Sequence, residues 1–194
     1  MSKERVLDFK YFKGPISHTL LYPGYEPELE ICSYCKKESI YILEGLDGCV
    51  DCLKARKFSI SKDTEAGEIT NGKIVRKGYE VVNEENLLEI CYTPDVSVFQ
   101  NIDHPVHCKD FMVYIGRWEQ EDFHQNTNDG DGEKLWMKMV DQDMDHLWEE
   151  TEKAKAKYGA EWPQYENSNW AFGSCVYVFE CLHCKKKRCH WDCG

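Results

Sequence analysis

The sequence predicts an α+β protein. It reads as a small mixed fold with a zinc-knuckle or ribbon-like N-terminal module, a central antiparallel sheet, one long acidic amphipathic helix and a C-terminal Cys-x-x-Cys hairpin. Three observations predict it: cysteine pairs at Cys-x-x-Cys spacing near both ends, short β-branched and aromatic runs bounded by glycine and proline, and one stretch whose apolar residues recur every three or four positions. At 194 residues one core, or one core with a satellite module, is expected; chains of about 150 residues already bury roughly two-thirds of their unfolded surface. The 11 cysteines are therefore not needed as staples for a core that is too small. We expect a module over 1–58 and a body over 59–194, packed as one unit.

Phe9-Lys10-Tyr11-Phe12, closed by Gly14-Pro15, has the composition of a short edge strand ending in a turn. Two prolines and a glycine keep Tyr22 to Pro27 irregular. After Cys32-Ser33-Tyr34-Cys35, the run Ser39-Ile40-Tyr41-Ile42-Leu43 favours a strand, and the turn Glu44 to Gly48 returns the chain to Cys49-Val50-Asp51-Cys52. Lys73 to Arg76, Val96 to Phe99 and Phe111 to Gly116 supply further strands. Asn126 to Gly132 is a loop. Gly132, placed at the sixth position of a calcium loop, would put Thr127 first and Lys138 twelfth, where oxygen ligands are required, so calcium is excluded.

The amphipathic helix is expected over about 133–158. Trp136, Met139, Val140, Met144, Leu147 and Trp148 form its apolar stripe, with Asp141, Asp143, Asp145, Glu149, Glu150 and Glu152 largely on the other positions. The stripe predicts a helix face packed on the sheet. Val176 to Glu180, Cys181-Leu182-His183-Cys184 and Cys189-His190-Trp191-Asp192-Cys193 then read as strand, turn, strand, forming the hairpin over 176–193.

The first residues, MSKERVLDFK, hold no apolar run of a secretory kind, and no stretch reaches the roughly 18 apolar residues of a membrane span. A cytoplasmic, reducing setting is expected, where paired cysteines are more often metal ligands than disulfides. Cys32-x2-Cys35-x13-Cys49-x2-Cys52 is the most specific signal, because four thiolates at that spacing satisfy tetrahedral Zn2+. A closed four-cysteine set serves folding rather than hydrolysis. Cys181 and Cys184 need two more ligands for a second zinc. These could be local, from Cys189, His190 or Cys193, or distant, from His104, His107 and Cys108. Cys91 and Cys175 read as core residues.

The net charge of −11 is unevenly placed, with 14 acidic against 5 basic residues in 119–167. A general nucleic-acid interface is disfavoured, since phosphate neutralisation needs clustered Lys and Arg. The only basic cluster, Lys185 to Arg188, reads as a solvated turn.

The order of Phe9-Lys10-Tyr11, Cys32-x2-Cys35, Cys49-x2-Cys52, Lys57-Phe58, His107-Cys108-Lys109-Asp110-Phe111, Tyr177-x-Phe179-x-Cys181-x-His183-Cys184 and His190-Trp191-Asp192 resembles the bacterial CbrC family. The resemblance covers most of the chain, with 60–90 and 119–167 contributing little. It implies a cytoplasmic bacterial protein with zinc-type motifs and no established enzymatic activity, linked by name to tolerance of nuclease-type colicins. Cys189 and Cys193 depart from the family's ending, so the resemblance implies Cys181 and Cys184 with His107 or Cys108, and His190, for a second zinc.

Three functions are then weighed. The leading one is an immunity or tolerance protein that binds a basic, nuclease-type toxin through its acidic region, with Asp141, Asp145, Glu149 and Glu152 as partner-binding residues. The alternatives are a zinc-ribbon adaptor touching nucleic acid through Lys185 to Arg188, and an enzyme using a second, open zinc site. No His-Glu-x-x-His, Gly-x-Ser-x-Gly or phosphate loop supports the last, and no catalytic residue is assigned.

Overall fold

The computed structural model describes residues 4–19, 29–98, 101–140 and 174–193. They divide into two compact units. The first comprises 4–19, 29–97, 103–114 and 181–184, and the second 98, 101–102, 115–140, 174–180 and 185–193. The expected module 1–58 thus falls inside the first unit, together with residues 59–97.

In the first unit, β1 (Glu30–Ile31) and β2 (Glu38–Ser39) pair antiparallel around the first cysteine pair. The apolar run after Ser39 forms no strand, but Ile42 bridges Cys49 and Leu43 donates its N–H to the Gly48 carbonyl, so the turn at 44–48 does bring the second pair back. That second pair is not another knuckle. Cys49 is the N-cap of α1 (Val50–Lys54) and Cys52 lies in its first turn. Arg5 forms a forked ion pair with Asp51 on the same turn. This places a cation on a carboxylate already favoured by the helix N-terminus.

A three-stranded antiparallel sheet follows, with β3 (Lys62–Thr64), β4 (Gly67–Thr70) and β5 (Lys73–Lys77) in sequence order. Short α2 (Leu87–Ile90) comes next, then the hairpin of β6 (Val106–His107) and β7 (Asp110–Phe111). Tyr11, Ala66, Ile69, Val82, Leu87, Ile90, Cys91, Val106 and Phe111 form the core of this unit. Cys91 is a core residue, as read from the sequence. Residues 9–12 form no strand; Phe9 and Leu7 close a tight loop by donating N–H bonds to Phe12 and Gly14, and Phe12 bridges Tyr114. Val96 likewise makes an isolated bridge, to Thr19, rather than a strand.

A second three-stranded sheet has the order β10–β9–β8, where β8 is Val113–Arg117, β9 Ser174–Glu180 and β10 Lys187–Cys193. In the second unit, α3 (Gln120–Gln125) opens with a capping box between Glu119 and Asp122. In α4 (Gly132–Met139), the Asp131 side chain caps the N–H of Lys134. Phe123, Trp136, Met139, Val140, Val176, Val178 and Cys189 form this unit's core, so the apolar stripe of α4 is packing, as its periodicity predicted. The helix is shorter than the expected 133–158. Val140 takes an extended conformation and bridges Cys189, which closes α4 at Met139. The rest of the expected stripe, from Met144 onward, lies outside the described residues.

Among the described residues no helix is long and apolar enough to cross a membrane.

Candidate metal centres

The first cluster brings together all four cysteines expected of it: Cys32, Cys35, Cys49 and Cys52 offer sulfurs within 4.8 Å of one another. Cys32 and Cys52 are 3.7 Å apart, Cys35 and Cys49 3.9 Å. A tetrahedron with zinc–sulfur bonds of about 2.3 Å has sulfur–sulfur edges of about 3.8 Å. A disulfide would need about 2.05 Å. The donor set therefore fits a tetrahedral soft-metal site.

Local backbone holds this geometry. In the first knuckle Lys36 donates its N–H to the Cys32 carbonyl and adopts φ 59, a left-handed turn that points both sulfurs one way. Cys49 donates its N–H to the Cys32 sulfur at 3.3 Å. Burial pushes the Cys32 thiol up, yet the N–H groups of Cys49, Cys35 and Tyr34 outweigh it and bring it down to about 6. Burial raises Cys49 and Cys52. Metal-bound thiolates would be balanced by the same amides. Phe58 stacks on Tyr34 with ring centres 4.5 Å apart and covers Gly48, where a Cβ would lie 2.5 Å from the Phe58 ring.

The second cluster consists of His107, Cys108, Cys181 and Cys184, also within 4.8 Å. The His107 Nδ1 is 3.2 Å from the Cys108 sulfur and 3.4 Å from that of Cys184. Zinc–nitrogen and zinc–sulfur bonds of about 2.0 and 2.3 Å give a tetrahedral edge of roughly 3.5 Å, so this set of three cysteines and a histidine fits as well. The knuckle repeats the first one's geometry, since Lys185 after Cys184 has φ 62 as Lys36 does after Cys35. Cys108 and Lys109 occupy the two central positions of the β6–β7 hairpin with φ 54 and 59. Such turns favour Asn-Gly, and a side-chain-bearing residue in the left-handed region costs roughly 1 kcal/mol or more. The turn holds the Cys108 sulfur against His107 Nδ1.

Beside this cluster lies a polar network that the sequence reading did not assign. Asp110 is 4% exposed. Its Oδ1 accepts from the Tyr11 hydroxyl at 2.7 Å and the Phe111 N–H at 2.9 Å, and its Oδ2 lies 3.1 Å from His183 Nε2 in the knuckle. Burial, then the Asp110 carboxylate, pushes the Tyr11 hydroxyl far above its ordinary range. Lys10 reaches the Asn86 side chain at 2.8 Å and is 4.0 Å from Asp110. Only the order of the motifs 9–11, 107–111 and 181–184 hinted that these residues meet.

Several expected ligands go elsewhere. His190 pairs with Tyr177 three residues up the strand from the hairpin turn and is not in the cluster. Cys189, paired with Val178, is buried in the second unit's core, which removes it from a local four-cysteine site. His104 is half-buried and gives Nε2–H to the Met112 carbonyl at 2.7 Å. Lys185 and Lys187 both pair with Glu180, at 3.3 and 3.2 Å, as a turn rather than a basic patch. Asp141, Asp145, Glu149 and Glu152 lie outside the described residues.

The model of an uncharacterised protein family, UPF0167, matches residues 6–193. The chain belongs to this family. No curated protein and no solved structure matches it. Both clusters of this UPF0167 protein fall within the matched span, as does the Asp110 network.

Proposed function

We propose that this UPF0167 protein is a cytoplasmic bacterial zinc protein with two sites per chain. One is the four-cysteine set of Cys32, Cys35, Cys49 and Cys52, and the other is the mixed set of His107, Cys108, Cys181 and Cys184. It acts by binding a protein partner. The observation that carries the zinc reading is the spacing of the first cluster's sulfurs, 3.7 and 3.9 Å, against the roughly 3.8 Å edge of a zinc tetrahedron. Each set supplies four protein ligands, which leaves no coordination position for a reactive water. That favours a folding role over catalysis, and the withdrawal of His104 from the second set favours it further. The partner is basic. Supporting this are the 14 acidic residues against 5 basic in 119–167 and the resemblance to the CbrC family, which implies a nuclease-type toxin. The pairing of Lys185 and Lys187 with Glu180 counts against a nucleic-acid adaptor.

Metal content measured after denaturing the purified protein tests the first part, with two zinc ions per chain expected; none would refute it, and one would remove the second site. Co-expression with basic nuclease toxins tests the second part. Survival together with a salt-sensitive complex is expected, and absence of both would reject an immunity role.

A further inference from the structure

The two clusters differ in a way that their shared tetrahedral geometry does not require. Three of the four cysteines in the first are sealed, with Cys32 0%, Cys52 3% and Cys49 4% exposed. In the second, only Cys181 is sealed, at 1%, while Cys108 and Cys184 are exposed. These two come from chain segments far apart in sequence, yet their sulfurs lie within 4.8 Å of each other. Both sit at left-handed turns, since Cys108 itself has φ 54 and Cys184 is followed by Lys185 at φ 62. Metal-bound cysteine is held as thiolate, the form that attacks electrophiles, and its reactivity follows access.

We infer that Cys108 and Cys184 are a hydroperoxide-reactive dithiol whose oxidation to a disulfide dismantles the second cluster and leaves the first intact. This rests on the reading that the second cluster holds zinc. The thiolate of Cys108 attacks one peroxide oxygen; the O–O bond breaks, and the departing oxygen takes a proton to leave as water or an alcohol. The Cys108 sulfenic acid is then attacked at sulfur by the Cys184 thiolate. The S–S bond forms as the S–O bond breaks, and hydroxide takes a second proton to leave as water. Two electrons pass from the two sulfurs to the peroxide, which is the oxidant. Of the original donors only His107 and Cys181 remain, half of a tetrahedral set. The knuckle at 181–184 is then joined to the β6–β7 hairpin by a covalent bond in place of the metal.

The test uses the full-length zinc-loaded protein, hydrogen peroxide, a chromogenic chelator that reports free zinc, and peptide mass mapping after alkylation. We expect one zinc equivalent per chain to be released roughly tenfold or more faster than the second. The peptide carrying Cys108 should be linked to the one carrying Cys184, with a mass lower by about 2 Da. Dithiothreitol and added zinc should reverse both changes. Release of both equivalents at one rate, release of neither, a disulfide within the first cluster, or an irreversible sulfinic product at Cys108 would each overturn the inference and leave the zinc reading standing. A protein carrying a single zinc before peroxide is added would instead remove the zinc reading of the second cluster, and the inference with it.

Discussion

His104 makes the fold acid-sensitive by an amount that can be worked out. Burial is the chief cause holding its imidazole down, to about 4; Lys62 pushes the same way, while the Met112 carbonyl, Asp95 and Glu65 push back less strongly. An unfolded histidine titrates near 6.5. Between those values the unfolded chain binds a proton that the folded chain refuses, so stability is full above about 6.5 and is lost as pH falls toward 4. From pH 7.5 to 5.5 the loss assigned to this group is about 1.4 kcal/mol, and by pH 4 about 3 kcal/mol. The assay is urea unfolding of wild type and His104→Gln at pH 7.5 and 5.5 in zinc-containing buffer. Glutamine keeps an N–H for the Met112 carbonyl and has no proton to gain. Acid also protonates the cysteine ligands, but it does so in both proteins and cancels in the difference. Wild type should lose about 1.4 kcal/mol more than the variant over this range. Equal losses would refute the assignment.

Further predictions concern the clusters. Lys36→Gly removes the left-handed strain at φ 59 and should raise stability by about 0.5–1 kcal/mol in chemical denaturation; a decrease would show that the Lys36 side chain contributes more than its backbone costs. Gly48→Ala, with a Cβ 2.5 Å from the Phe58 ring, should lower stability by about 1–3 kcal/mol and weaken zinc retention in a chelator competition, and an unchanged melting curve would contradict the packing described. Tyr11→Phe takes a hydroxyl from the buried Asp110 carboxylate and should cost about 1.5–3 kcal/mol, read by thermal denaturation. Stripping metal with a strong chelator should unfold the segment around the first cluster, as apparent structural-zinc energies are about 10–16 kcal/mol; an unchanged far-ultraviolet dichroism spectrum would count against its folding role.

The first cluster was legible because its ligands are close in sequence and the Cys-x-x-Cys spacing carries its own geometry. The α+β class was legible for a similar reason, since hydrophobic period is local. The second cluster was half legible. Cys181 and Cys184 announced a knuckle, but their partners depend on which hairpin the knuckle meets. Cys108-Lys109 carries no turn signature, and its left-handed conformation opposes local preference. His190 was misplaced because the register pairing Lys187 with Glu180 carries it away from the turn at about 3.3 Å per residue. The end of α4 was hidden because nothing between Met139 and Asp141 breaks a helix; the Val140–Cys189 bridge, a tertiary contact, closes it. The Tyr11–Asp110–His183 network joins three distant segments and has no sequence periodicity at all.

The sequence separations within the two clusters also impose an order of assembly during synthesis. Ligands of the first are at most 20 residues apart in its measured pairs, whereas His107 and Cys184 are separated by 77. Closing the longer loop costs about 1.5 kcal/mol more than closing the 14-residue separation of Cys35 and Cys49. At about 5–20 residues per second, the ribosome makes Cys184 on the order of ten seconds after Cys52. During that interval the first cluster can take its metal and fold its segment, while His107 and Cys108 wait with two ligands missing. A chain that fills each cluster as its ligands are completed would draw metal at two separate moments, and a shortage between them would leave the first cluster filled and the second open.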